Sequence, residues 1–347
     1  MRSWRDIMKP KFSVPYNQDP SIIKEYIIRK KYVRDVYLPA NPAFFATGRD
    51  SFHTHSGIPA RTSRMPFGLN SGYDREIQDI IDILRTEDIG VTMLMNGSCD
   101  GGRYIDTREL NNLISYLSSF RDLSAVTFTN AYYAKKVREA LPTLKTKASV
   151  IAGIDTVRKA MHYEAYAKVD VIAVASDVNK CLPVLKNISR AVNTEIQIIV
   201  NSGCMHGCPF FSQHYNYLSH LYDNNSDTSV LKTRFCYEAL CKSIVDKAPW
   251  TLYTCQYIAP KNLHHYQRIV DEFKLVDRAL PTKIILEHLD AYIEGRSNKV
   301  LPHDPEWCFD EPDGVFERVS KCDRNCAICG WCEATWKKMS QQTLSTA

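Results

Sequence analysis

The chain has 347 residues, of which 44% are hydrophobic and 24% charged, enough apolar content for a folded core and far from the composition of a disordered chain. Lys and Arg exceed Asp and Glu by 44 to 39, a formal charge of +5, without the strong clustered excess that marks a nucleic-acid binder; RNA binding is permitted but not indicated. The opening MRSWRDIMKPKFSV lacks the apolar run of a signal peptide, and no stretch of about 18 apolar residues occurs, so the expectation is a cytoplasmic chain with no membrane span, where close-spaced cysteines bind metal or do catalysis.

From residue 11 onward, short apolar, β-branched runs alternate with amphipathic segments. The runs are 11–17, 33–41, 90–97, 125–131, 147–153, 169–177, 196–203 and 273–278. Between them lie helical patterns such as YDREIQDIIDILRTEDI and DTRELNNLISYLSS. Strands separated by helices predict a parallel sheet covered on both faces. Eight such units predict an α/β fold, a (β/α)8 TIM-type barrel over 11–296; an open doubly wound sheet is the alternative, but no glycine-rich phosphate fingerprint follows the first run.

Asn17, Asn41, Asn96, Asn130, Asp177 and Asn201 each sit at the C-terminal end of a run, and Arg278 follows the last. In a barrel those ends share the face where active sites are built. The plainer reading is that Asn and Asp open turns and cap helices. Residues 49–64 have no apolar period and read as a loop after the second strand. There His53, His55, Arg49, Arg61 and Arg64 suit either a lid that holds an anion or a solvated surface.

After Pro209 the pattern loosens into an insertion over 205–272 before the last strand. The tail 297–347 reads as a Cys-rich appendage, stapled by metal. The twelve cysteines fall into two sets, apart from lone ones. In NSGCMHGCPFFSQH, Cys204 and Cys208 follow a strand at C-x3-C spacing; Cys236 and Cys241 in TRFCYEALC, then Cys255, complete the candidates for a cofactor at the barrel mouth. Four thiolates suit a 4Fe–4S cluster or zinc. In KCDRNCAICGWC, Cys322, Cys326, Cys329 and Cys332 follow the dense spacing typical of cubane ligation, with a zinc knuckle as the alternative. Cys99 and Cys181 read as small buried hydrophobes, and Cys308 as structural, with a spare ligand as the alternative.

His206, His214 and His220 lie beside or after the C-x3-C loop as metal ligands, acid–base groups or hydrogen-bonding supports of a ligand. Asn201, His206, His214 and Arg278 are the candidate catalytic residues. No G-x-S-x-G, H-E-x-x-H or Walker loop occurs, and the radical-SAM C-x3-C-x2-C is found only in the tail, at the wrong end of a barrel.

The run IIVNSGCMHGCPFFSQHYNYLSH resembles the signature of peptidase family U32, the collagenase-like proteins, as does YIAPKNLHHYQRIVDEFKLVDRALPTKIILEHLDAYIEG. The likeness covers roughly residues 90 to 335 and is specific at 196–220 and 255–295. The chain departs from the family's pattern at Ser202, Ala259, Lys261, Asn262 and Asp277, all near the presumed substrate face. The resemblance implies a barrel with a cysteine-ligated 4Fe–4S cluster that supports oxygen-independent hydroxylation in ubiquinone synthesis or RNA modification, with prephenate as hydroxyl donor. It implies Cys204 and Cys208 as ligands, with Cys236 and either Cys241 or Cys255; the tail cysteines would hold a second cluster. The expected function is therefore an iron–sulfur enzyme acting on a small molecule or RNA. A metal-dependent peptidase and a cluster-bearing electron-transfer subunit in a protein complex are the alternatives.

Overall fold

The structure is a computed structural model that describes residues 10–41, 72–220, 237–276, 278–296, 300–301, 304–308 and 311–345. The expectations for residues 49–64 and for Cys236 lie outside the described residues. Eight parallel strands form a closed barrel in sequence order: β1 (Phe12–Pro15), β2 (Val33–Pro39), β3 (Gly90–Met95), β4 (Ala125–Phe128), β5 (Lys145–Ala148), β6 (Val171–Ala173), β7 (Glu195–Ile199) and β8 (Glu272–Lys274). The register pairs Phe12 with Phe273 and Ser13 with Lys274, joining the first strand to the last. Each of the eight apolar runs overlaps one strand, although β5, β7 and β8 begin before their runs and β5 shares only Lys147 and Ala148 with its run, and the (β/α)8 barrel is the observed architecture.

The helices between strands are α1 (Ser21–Ile28), α2 (Gly72–Arg85), α3 (Thr107–Ser118), α4 (Ala131–Ala140), α5 (Val157–Ala167) and α6 (Leu182–Ala191). Their starts carry side-chain caps where the sequence allows. Asp106 accepts from the backbone of Arg108 and Glu109 at the start of α3, and Asn130 from Tyr132 at the start of α4. For Asn130 the capping reading of the strand-end residues therefore holds. Outward-facing strand residues such as Val36, Met93, Val126, Ile198 and Phe273 are buried under these helices in one continuous core.

The barrel interior is not the apolar packing that the runs suggest. The inward side chains at mid-height include Asp35, Thr92, Lys147, Gln197, Glu272 and Lys274, all buried. Lys147 Nζ donates to Asp35 at 2.5 Å and to Glu272 at 3.2 Å, and Arg34 Nε stands 3.4 Å from Glu272 from the side of the strand starts. Burial raises the Asp35 carboxyl, but Lys147, Ser13 and Thr92 outweigh it and hold the group below the usual range.

Beyond β7 run α7 (Phe211–His220) and α8 (Tyr237–Lys247); α9 (Thr282–Glu294) follows β8. The C-terminal part forms a two-stranded ribbon, β9 (Val300–Leu301) with β10 (Asp304–Cys308), then α10 (Val315–Val319), α11 (Cys326–Cys329) and α12 (Trp331–Ser345). Glu311 ties this part to the barrel: its buried carboxylate takes Lys180 Nζ at 2.8 Å and the Asn262 amide. Lys261 Nζ donates to the Glu311 carbonyl at 2.8 Å. Among the described residues no helix is long and apolar enough to cross a membrane.

Candidate thiol site at the barrel mouth

The site begins where β7 ends. Asn201 is buried, and its amide spans to the next strand: Nδ2 donates to the Val276 carbonyl at 2.9 Å, and Oδ1 accepts from the Val276 N–H at 2.6 Å. Both ends of the side chain thus extend the β7–β8 ladder beyond its last regular pair. Asn201 is committed to holding the mouth together.

The chain then runs beside residues 255–258. Ile258 N–H donates to the Val200 carbonyl at 2.8 Å, and Gln256 N–H to the Cys204 carbonyl at 2.9 Å. Tyr292 locks this pairing, its hydroxyl reaching both Val200 and Ile258 carbonyls at 3.0 and 2.7 Å. The pairing carries Cys255, 51 positions further along, to the C-x3-C loop. The turn between Cys204 and Cys208 needs a left-handed residue, and Gly207 supplies it at φ +64°. Asp177, at the end of the sixth run, accepts from Gly207 N–H at 3.1 Å and lies 3.7 Å from His206 Nδ1.

Four thiols gather here. Cys208 and Cys241, the latter on α8, share a hydrogen bond, which is the main reason the Cys208 thiol falls to about 7 despite partial burial. Cys204 lies within electrostatic reach of Cys208 and of Cys255. Cys255 is fully buried, and burial pushes its thiol up. Cys208, Cys241 and Cys255 sit in one apolar pocket with Tyr253, Tyr257 and Trp336, and Cys332 of the tail packs into the same pocket. The sequence left Cys241 and Cys255 as alternatives; the fold brings both to the loop.

The tail set stands beside it. Burial first, then Cys322, Cys326 and Cys329, raise the Cys332 thiol, so the four tail thiols share one neighbourhood. Arg324, between them in sequence, has a left-handed backbone at φ +64°. Its Nη1 and Nη2 are buried with no hydrogen-bond partner among the described residues. The guanidinium acts on both Cys332 and His206, joining the two sets. Burial and Arg324 hold the His206 imidazole below its usual range, against the pull of Asp177. Among the described residues no group of three or more His, Cys, Asp and Glu side chains is arranged to hold a single metal ion.

The other expected residues are spread more widely. His214 stacks on Tyr215 along α7, with ring centroids 6.1 Å apart, and His220 closes the same helix. Arg278 is buried beyond β8 with its guanidinium carbon 6.0 Å from the Tyr37 ring centroid. Cys99 and Cys181 are half-buried rather than enclosed. Missed in the sequence were Asp177 as the anchor of the loop, Lys180 as the partner of Glu311, and Lys274 inside the barrel. Lys274 stands inside an apolar run, and only the inward pointing of alternate residues could have exposed it.

No family model matches the chain. A protein described as an uncharacterized protease of Methanocaldococcus jannaschii is 23% identical over 305 residues, covering 84% of this chain and 89% of that protein. A solved U32 peptidase shares the fold at a TM-score of 0.51 and 17% identity, covering 78% of this chain and 93% of its own. The likeness to the solved structure shows the shared barrel fold, and the Gly-Cys and Cys-Pro steps that resemble the U32 signature lie on the loop after β7 of this chain.

Proposed function

We propose that this chain is an iron–sulfur enzyme that modifies a small molecule or RNA by oxygen-independent hydroxyl transfer or a related redox step. The observation that carries the reading is the gathering of Cys208, Cys241 and Cys255 in one apolar pocket, with Cys204 within electrostatic reach of Cys208 and Cys255, at the C-terminal ends of the strands. Thiols are the donor set that iron–sulfur clusters take, and an apolar pocket shields such a cluster from water. The four tail thiols, with Arg324 and its unspent N–H groups beside them, suit a second anionic cluster.

When bound, a 4Fe–4S cluster supplies one-electron chemistry or an iron that polarises a substrate oxygen. The chain's own groups do the rest. His206, kept neutral by burial and oriented by Asp177, accepts a proton beside the loop. Arg278, fixed against Tyr37, holds a substrate carboxylate or phosphate. Prephenate, a dicarboxylate, is the co-substrate to try first. A cluster-bearing subunit that passes electrons to a protein partner is the reading left if no small molecule binds.

The test is anaerobic purification of the native chain and of Cys204→Ser, with iron, sulfide and zinc counted per chain and electron paramagnetic resonance after reduction. About four irons and four sulfides per cluster are expected, with one cluster's share lost in the variant. Zinc without sulfide overturns the redox reading. It would reopen metal-dependent peptide hydrolysis, which the related protein's description suggests for that protein.

A further inference from the structure

The barrel interior holds two buried carboxylates, Asp35 and Glu272, and both already have cations. Lys147 bonds to each, and Arg34 reaches Glu272. Lys274 is a further cation in the same interior, 9% exposed, at the C-terminal end of β8. Among the described residues no carboxylate stands within ion-pair distance of its Nζ. Its close neighbour is a ring: Nζ lies 4.0 Å from the Tyr37 centroid. Tyr37 is itself fixed, its hydroxyl donating to the Leu275 carbonyl at 2.8 Å.

The chemistry of this placement differs from that of Lys147. An ammonium removed from water must be paired or lose its proton. The groups acting on Lys274 are Asp35 of β2, Lys147 of β5, Glu272 of β8 and Arg278 beyond it. Two anions face two other cations, so the set does not compensate a third. Burial first, then Lys147 and Arg278 against Asp35 and Glu272, bring the Lys274 ammonium down to about 7. A methionine would fill such a place without the cost of burying an amine. Arg278 stands beside the same ring as the amine, its guanidinium carbon 6.0 Å from the Tyr37 centroid.

We propose that Lys274 is a nucleophilic amine of the barrel, which takes the carbonyl of a 2-oxo acid as an imine while Arg278 holds the acid's carboxylate. The nitrogen lone pair adds to the carbonyl carbon, and the carbinolamine so formed loses its hydroxyl with a proton as water. One C=O becomes one C=N, no electron is gained or lost, and the step is reversible. The imine nitrogen, once protonated, draws electrons from the neighbouring carbon. The thiol pocket takes no part in this step, so it stands apart from the metal content of the protein.

The experiment uses the full chain as purified, with pyruvate as the simplest 2-oxo acid and cyanoborohydride to reduce any imine. Peptide mapping by mass spectrometry then locates the carboxyethyl adduct, and iron is counted in the same samples. The expected result is an adduct concentrated on Lys274, rising several-fold from pH 6 to pH 8. Lys274→Met should abolish it. Arg278→Met should reduce it about tenfold with pyruvate, while leaving labelling by acetaldehyde, which has no carboxylate, within twofold. Adducts scattered over exposed lysines and unchanged in Lys274→Met would overturn the proposal, as would a native chain that stays unlabelled at Lys274 from pH 6 to 8. Because the native chain alone gives the deciding readout, a poorly folded variant does not rescue the idea.

Discussion

At the residue scale, the interior of the barrel sets an unusual condition on pH. Lys274 titrates near 7 in the folded chain but near 10.4 when unfolded. Between those values the unfolded state binds the extra proton, so this residue weakens the fold as pH falls from about 10 to 7, and adds no further change below that. Lys274→Met removes the effect. The variant should be more stable than the native chain at pH 7 by a few kcal/mol, and the gap should narrow as pH rises toward 10. Urea unfolding of both chains at pH 7, 8.5 and 10 measures it. A gap that stays constant across that range would mean the amine is charged in the folded barrel. Lys147 shows the contrasting solution, a buried lysine kept charged by Asp35 and Glu272.

At the scale of elements, strands were the most legible feature and their ends the least. All eight runs overlap a strand because β-branched and apolar residues crowd where helices cover the sheet, though β5, KTKA, is mostly polar and starts before its run. The strands stop short of the runs, since residues such as Asn201 pair through side chains where the backbone ladder has ended. Glu272 opens β8 unseen, because a charge at the start of an apolar run looks like a loop. The two halves of the thiol site were equally uneven. Cys204 and Cys208 are legible from their spacing alone. That Cys241 and Cys255 join them depends on α8 and on the pairing of 200–204 with 255–258, which no local pattern encodes. Asn201→Ala tests that architecture. It strips two hydrogen bonds from Val276 and should cost about 1–3 kcal/mol in chemical denaturation. It should also speed alkylation of Cys204 in the metal-free chain, as the loop after β7 loses its anchor. An unchanged alkylation rate would mean that the pairing with 255–258 holds the loop by itself.

At the scale of the whole molecule, the C-terminal part and the barrel share their interiors. Lys180 and Glu311 are almost wholly buried against one another, and Asn262 completes the contact. Removing one partner of such a pair leaves the other charge buried without compensation. Glu311→Gln should therefore cost about 3–5 kcal/mol and make the segment after residue 311 susceptible to limited proteolysis. A variant as stable and as resistant as the native chain would show that α10 and α12 dock through their apolar contacts alone. In the docked molecule Cys332 packs in the pocket of Cys208, Cys241 and Cys255, so the tail and barrel thiols share one apolar cluster.

The seam between β1 and β8 has a consequence for how the protein is made. Phe12 and Ser13 wait for Phe273 and Lys274, which lie near the other end of the sequence. At synthesis rates of about 5–20 residues per second, the ribosome needs on the order of 10–50 s to deliver that partner. Throughout that interval the first strand offers one open edge, and the nascent sheet is a template for the wrong neighbour. The ring therefore stays unfinished for tens of seconds, and its first strand is completed only by almost the last one made.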